Sequence, residues 1–283
     1  MALNFKISLQ LSEKIELLEN ELSPHRFIAV AYSGGVDSTF LAWLIQKQLR
    51  KPSRIVLVVT PFLSRREHAG ALGTAKQIEL DIEQIIMDPS SLPMIRRNPV
   101  DRCYHCKREI MTRIADMASQ WSRSAVVLDG THADDQGGHR PGRRALQELG
   151  ILSPLAKARL DKSEIRELSR LAGLPTWRKP SQSCLATRLS YGTELTRERL
   201  SRIEKAEEML WDLGCEQVRV RSDGETARIE VNPEAFHLIL NEATSIKIRL
   251  HFRELGFSRV SLDPAGYRSG SWDTDQTDES QDL

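Results

Sequence analysis

The sequence predicts an α/β protein: a doubly wound parallel sheet followed by a smaller C-terminal α+β domain. Three observations lead there. Short, near-continuous apolar runs alternate with helical segments over the first half of the chain, the character of strands covered on both faces. The first run passes directly into Ser33-Gly34-Gly35-Val36-Asp37-Ser38, a glycine turn that opens a helix. From about residue 190 the pattern changes to a helix, an alternating hairpin, a second helix and a strand.

Taken in order, Leu11, Ile15, Leu18 and Leu22 recur at helical spacing, so an amphipathic helix is expected over about 10–22. "RFIAVA" (26–31) is a buried strand, and "STFLAWLIQKQL" (38–49) is a helix. "RIVLVVT" (54–60) is a second strand, 64–80 a helix, and "DIEQIIM" (81–87) a third strand. A Pro/Ser/Arg-rich loop spans 88–102, and the next helix carries "CYHC" near its start. "AVVLDGT" (125–131) is a fourth strand, 132–160 is loop-rich, and Asp161 with Glu164 has capping-box spacing. A helix over 196–213 precedes "QVRVR", an Asp-Gly turn at 223–224 and "ARIEV", which together read as a hairpin. A helix over 233–255 and the strand "RVSLD" complete the second domain. Domain limits of 1–189 and 190–270 follow, with an acidic, disordered tail at 271–283.

Composition narrows the classes of function. Lysine and arginine (40) balance aspartate and glutamate (39), which argues against a dedicated nucleic-acid binder. No apolar stretch approaches the ~20 residues that span a bilayer, and the N-terminal "MALNFKISLQLSEKIELLEN" has no signal-peptide core. A cytoplasmic protein without a membrane partner is expected. In a reducing compartment its four cysteines read as thiols, metal ligands or catalysts rather than a disulfide framework.

The glycine turn reads as a phosphate cradle. Glycines let the backbone approach phosphate oxygens, and unpaired amides at a helix N-terminus point at the anion. Ser33 and Ser38 add hydroxyl donors, while Asp37 is either a Mg²⁺ ligand or a helix cap. The Gly-Lys-Ser/Thr ending of a Walker loop, whose lysine serves the outer phosphates, is absent. Ligands of parallel sheets bind at the carboxyl ends of strands. Ala31, Thr60, Asp129 and Gly130 join Ser33, Gly34, Gly35, Asp37 and Ser38 as candidates for this phosphate site, which the resemblance given below implies is an ATP site. Through that same resemblance, Asp129 and Asp134 are candidates for assisting Mg²⁺ or positioning an adenylate.

Cys103 and Cys106 form a C-x-x-C pair at a helix start, and Cys184 follows far downstream in "KPSQSCLATRLSYG". Three thiolates can hold a [4Fe–4S] cluster with one iron open to a non-protein ligand. The alternatives are a Cys₃His zinc site using His105 or His132, a redox dithiol, and inert buried thiols. Cys215, at the end of a helix, reads as a packing residue.

The S-G-G-x-D-S string resembles the PP-loop of the ATP pyrophosphatases, an adenine nucleotide alpha hydrolase-like fold that splits ATP between its α- and β-phosphates. The further blocks "LDGTHADD", "RPGRRALQELGILSPLA", "SCLATRLSYG", "VRVR", "ARIEV" and "LDPAGYRSG" make the chain similar to the LarE family. Those are PP-loop sulfur transferases of nickel-pincer nucleotide biosynthesis. The resemblance implies ATP, Mg²⁺, and a pyridinium-3,5-dicarboxylate mononucleotide whose carboxylates are adenylated and then converted to thiocarboxylates. It also implies sulfide or another sulfur donor, and a homo-oligomer with a hexamer as one form. LarE-like proteins come in two kinds, one sacrificing the sulfur of a single cysteine, the other holding a [4Fe–4S] cluster on three. Cys103, Cys106 and Cys184 fit the second, although Cys184 (adjacent to Ser183) also occupies the segment of the sacrificial cysteine. Arg219 and Arg221 are candidates for a substrate phosphate, with a solvated strand face as the alternative. Arg268 and Glu230 are further substrate-pocket candidates, and Arg140 a candidate for ATP phosphates or pyridinium carboxylates. In this reading the second domain binds substrate and supports oligomerisation. A PP-loop tRNA thiolase is the alternative function.

Overall fold

The computed structural model describes residues 7–136 and 141–268, so Arg140 and the acidic tail lie outside the described residues. The chain forms two compact units. The first comprises residues up to Pro89 together with Asp101–Gln182, and the second Ser90–Val100 together with the described residues from Ser183 onward.

In chain order the elements are α1 (Leu9–Leu22), β1 (Phe27–Tyr32), α2 (Val36–Trp43), β2 (Ser53–Val59), α3 (Arg65–Gln77) and β3 (Ile82–Ile86). There follow α4 (Pro93–Arg96), α5 (Arg102–Trp121), β4 (Ala125–Leu128), α6 (Pro141–Glu148), α7 (Pro154–Lys157) and α8 (Lys162–Leu171). Last come α9 (Arg197–Asp212), β5 (Val218–Asp223), β6 (Thr226–Val231), α10 (Phe236–Leu240), α11 (Glu242–Glu254) and β7 (Arg259–Leu262).

The first unit is α/β, with a parallel sheet of order β3-β2-β1-β4. Alternate residues of its strands enter two different cores. Ile28, Val30, Tyr32, Ile55 and Leu57 join apolar residues of α1, α2 and α8, whereas Ala29, Val56, Ile85 and Val127 join Met111, Ile114 and Ala118 of α5 and Leu146 of α6. Burial on both faces is why these strands read as unbroken apolar runs. Helix starts follow their caps: Ser8 and Ser64 accept from the amides three residues on, and Asp161 and Glu164 form the expected capping box at α8. Strands β1, β2 and β3 proceed outward in one direction, and β4 returns to the other side of β1. The order therefore reverses between β1 and β4, the position at which open parallel sheets bind ligands.

Two stretches read as loops contain helices. Within 88–102 lies the short α4, and within 132–160 lie α6 and α7. In α6 the "RPGRR" composition hides a helix held by buried Ala145 and Leu146, with proline at its first position, where no intrahelical donor is needed. The single helix expected over 233–255 is divided, because Asn241 takes an extended ψ of 131° and its side chain accepts from the Thr244 amide to start α11.

The second unit has a sheet of order β5-β6-β7, antiparallel between β5 and β6 and parallel between β6 and β7. Ala206 and Leu210 of α9 and Ile248 and Phe252 of α11 pack on it. The hairpin forms as expected, with its turn one residue later: Asp223 pairs with Thr226, leaving Gly224-Glu225 as the turn, with Gly224 at φ +56°. Asn98 ties Ser90–Val100 to this unit, donating to the carbonyls of Leu189 (3.0 Å) and Ser190 (2.9 Å). Among the described residues no helix is long and apolar enough to cross a membrane.

Candidate functional site

At the carboxyl end of β1 the chain turns sharply through Ser33–Ser38 into α2. Gly34 has φ +72°, and a Cβ there would lie 2.5 Å from Ala71 Cβ. The Ser33 amide donates to Ser38 Oγ (3.1 Å), and the two serine hydroxyls face each other at 3.0 Å. Gly130, in the loop after β4, lets that backbone come close: a Cβ there would lie 3.0 Å from the Ser38 nitrogen. The loops after β1 and β4 thus meet at the reversal point of the sheet. Gly34→Ala combines a left-handed backbone penalty with overpacking against α3. It is expected to destabilise the protein by about 2 kcal/mol or more in chemical denaturation. Gly35→Ala, whose Cβ would meet only Ser33 Oγ at 3.4 Å, should stay within about 1 kcal/mol; equal losses for the two would refute the strain at Gly34.

Around this turn the other candidates have defined partners. Ala31 lies within β1 opposite Val56. Thr60 shapes the turn after β2, its hydroxyl accepting from the Phe62 amide at 3.2 Å. Asp129 is buried and accepts from the hydroxyls of Ser153 and Thr131, each at 2.6 Å. Asp134 accepts from the Lys162 amide at 2.9 Å. Asp37 is bound by a residue that its sequence neighbourhood does not reveal: Lys162 Nζ reaches its two carboxylate oxygens at 2.8 and 2.6 Å. A second lysine, Lys179, donates to the Gly34 carbonyl at 3.2 Å and pairs with Glu67 at 2.8 Å. No local pattern could identify either lysine, since each is well over a hundred residues from the turn it contacts.

Cys103 and Cys106 stand one turn apart at the start of α5, Cys103 exposed and Cys106 half-buried. Tyr104 between them points inward, donating to Glu148 at 2.6 Å beneath the Arg144 guanidinium, which anchors this turn to α6. An Arg102 nitrogen lies 3.4 Å from Cys103 Sγ. His105 pairs with Asp101 at 3.0 Å, and His132 lies 3.5 Å from Asp135. Within either unit by itself, no group of three or more His, Cys, Asp or Glu among the described residues stands close enough together to hold a metal ion.

In the second unit Cys184 is exposed, immediately before a short turn, Leu185–Arg188. Arg188 organises this segment and is itself almost wholly buried. Its Nη1 donates to the Ser183 carbonyl and hydroxyl (both 2.8 Å), the Cys184 carbonyl (3.0 Å) and the Thr187 hydroxyl (3.0 Å). Its Nε donates to Glu207 at 2.8 Å, and Glu207 also accepts from the Val220 amide at 3.0 Å. No local signal in the sequence points to Arg188 or Glu207; "ATR" alone carries no sign of burial.

Arg219 and Arg221 are buried, which corrects the alternative of a solvated strand face. Arg221 pairs with Glu230 at 3.0 Å and donates to the Thr187 carbonyl at 2.8 Å. Arg219 lies over the Tyr267 ring, 5.1 Å from its centre. Burial, reinforced by Arg188, pushes the Arg219 guanidinium down to about 10. The buried arginines 188, 219 and 221 and the buried carboxylates of Glu204, Glu207, Glu230 and Asp263 all belong to this unit. Arg268 follows Tyr267 and is exposed. Cys215 is buried in the core of this unit, and that burial raises its thiol pKa.

No family model matches the chain. It is 37% identical over 260 residues to an uncharacterised protein of Synechocystis sp., covering 92% of this chain and 97% of the other. It is 33% identical over 247 residues to pyridinium-3,5-bisthiocarboxylic acid mononucleotide synthase of Lactiplantibacillus plantarum, covering 86% and 87%. It is 30% identical over 260 residues to an uncharacterised protein of Methanocaldococcus jannaschii, covering 91% and 98%.

Proposed function

The chain belongs to the LarE family, that of pyridinium-3,5-bisthiocarboxylic acid mononucleotide synthase, and from that premise we propose that it is an ATP-dependent sulfur transferase acting on pyridinium-3,5-dicarboxylate mononucleotide. The observation that carries the reading is the pairing of this relationship, extended over most of both chains, with a glycine turn at the reversal point of a parallel sheet.

The chemistry runs in two balanced steps. A substrate carboxylate oxygen attacks the α-phosphorus of ATP and pyrophosphate leaves, giving an acyl adenylate. A sulfur nucleophile then attacks the acyl carbon, the C–O bond to the adenylate breaks and AMP leaves with its electron pair, giving a thiocarboxylate. Activation is required because a carboxylate has no competent leaving group. Ser33, Ser38 and the amides of the turn hold the phosphates, with Asp37 as the Mg²⁺ ligand. Arg219, Arg221 and Arg268 hold the substrate phosphate, Arg221 being backed by Glu230.

Cys103, Cys106 and Cys184 are proposed as ligands of a [4Fe–4S] cluster. The donors fit in type: three thiols, two of them one helical turn apart and two of them exposed. When bound, the cluster would supply sulfur that can be replenished between turnovers. Arg188 acts through the chain around Cys184, holding that segment by its carbonyls and hydroxyls so that the thiol stays outward.

Incubation with ATP, Mg²⁺, sulfide and the dicarboxylate mononucleotide should give AMP, pyrophosphate and thiocarboxylate, read by mass spectrometry. ADP and phosphate in place of AMP and pyrophosphate, or ATP binding with no turnover, would refute the proposal.

A further inference from the structure

Two buried arginines of the second unit make contacts of different kinds. Arg221 is paired with the Glu230 carboxylate at 3.0 Å. The Arg219 guanidinium donates to the Val218 carbonyl at 2.7 Å and lies over the Tyr267 ring, 5.1 Å from its centre. A ring face attracts a cation through its quadrupole, yet it neither neutralises the charge nor takes up the in-plane N–H donors, as a carboxylate does. Arg219 is 1% exposed, and such a contact is strongest where water is excluded.

Tyr267 is brought to this arginine along a fixed path. After β7 the Asp263 amide donates to the Ile229 carbonyl at 2.8 Å, and the Asp263 carboxylate accepts from the Ala265 amide at 2.9 Å. The Gly266 amide then donates to the Asp263 carbonyl at 3.0 Å, closing a turn. Next, the Tyr267 amide donates to the carbonyl of Val231, the last residue of β6, at 2.9 Å. Gly266 has φ +68°, and a Cβ there would lie 2.9 Å from the Val231 oxygen. Only glycine allows both that backbone and that approach. Val231 is paired across the hairpin with Val218, the residue before Arg219. Main-chain bonds therefore set the ring beside the guanidinium.

We propose that Tyr267 is a positioning residue for substrate binding: its ring holds the buried Arg219 guanidinium in place without competing with the substrate phosphate for charge or donors. The inference rests on the reading of Arg219 as a phosphate ligand and extends it to the side chain that supports it. The ring face does the holding, so a second aromatic residue serves in its place and an aliphatic one does not. Tyr267 acts through Arg219, so its effect depends on that arginine being present.

The test compares unaltered protein with Tyr267→Leu, Tyr267→Phe, Arg219→Met and the Arg219→Met/Tyr267→Leu double variant. Each is titrated calorimetrically with the dicarboxylate mononucleotide and with the corresponding nucleoside, which lacks the phosphate. Tyr267→Leu is expected to weaken mononucleotide binding by about tenfold and leave nucleoside binding unaltered. Tyr267→Phe should restore mononucleotide binding to within about twofold of the unaltered protein. In the Arg219→Met background the leucine substitution should add no further loss, the signature of a residue that acts through its partner. Losses that simply add, or equal weakening of mononucleotide and nucleoside by Tyr267→Leu, overturn the inference, as does mononucleotide binding by Tyr267→Leu equal to that of the unaltered protein. If the unaltered protein binds the mononucleotide no more tightly than the nucleoside, the phosphate reading of Arg219 fails, and the inference with it.

Discussion

Cys103→Ala protein is expected to lose multiple turnover and to emerge colourless from anaerobic purification, where the proposed cluster predicts a brown unaltered protein with about four irons per chain. Three thiolates are the minimum that fixes such a cluster while leaving one iron open for exchangeable sulfur. Losing Cys103, the exposed proposed ligand on the first turn of α5, would leave two, too few for a recyclable site. The measurements are iron and sulfide content, and thiocarboxylate formed per chain. A colourless, zinc-loaded protein with full activity would sink the cluster assignment. A second outcome would reassign the chemistry: Cys103→Ala works normally, Cys184→Ala is dead, and the mass of Cys184 falls once by the elements of H₂S as one sulfur is transferred per chain. The thiol of Cys184 is then itself the sulfur donor.

Arg188→Met should produce the largest loss of stability in the second unit. Both Arg188 and Glu207 are almost completely removed from water, and removing one partner of such a pair strands the other charge, at a cost of about 3–5 kcal/mol. For a unit of this size that corresponds to a fall in melting temperature of more than about 10 °C. The same change removes the donor that gathers Ser183, Cys184 and Thr187, so sulfur transfer should fail even below the new melting temperature. Arg188→Met/Glu207→Gln separates the two effects. Glutamine is uncharged and still accepts from the Val220 amide, so most of the stability should return while transfer stays impaired. Calorimetry and a single-turnover assay report on each separately. Full recovery of transfer in the double variant would show that Arg188 has no positioning role.

The α/β character and the glycine turn were legible because their signals are local. The strand runs, the turn and the helix that follows occupy consecutive residues, and burial on both sheet faces leaves a continuous apolar trace in β1 and β2. The helix α6 was not legible, because Pro141, Gly142 and two arginines look like loop composition, and its stability comes from burying Ala145 and Leu146. The break at Asn241 was hidden for the opposite reason: helical periodicity runs through it, and only the side-chain cap reveals a new start.

The segment from β1 through the glycine turn into α2, the hairpin of β5 and β6, and the thiols available for chemistry are each encoded within a few residues. Which charges are buried, and what they hold, is set by the fold. Arg219 and Arg221 alternate along the chain as surface residues would, yet they are enclosed with Arg188, Glu207 and Glu230. Asp37 reads as a helix cap or a metal ligand in the sequence, and only the fold brings Lys162 to it from α8. The physical reason is common to both cases. Whether a charge can leave water depends on partners that the fold, not the neighbouring sequence, places beside it.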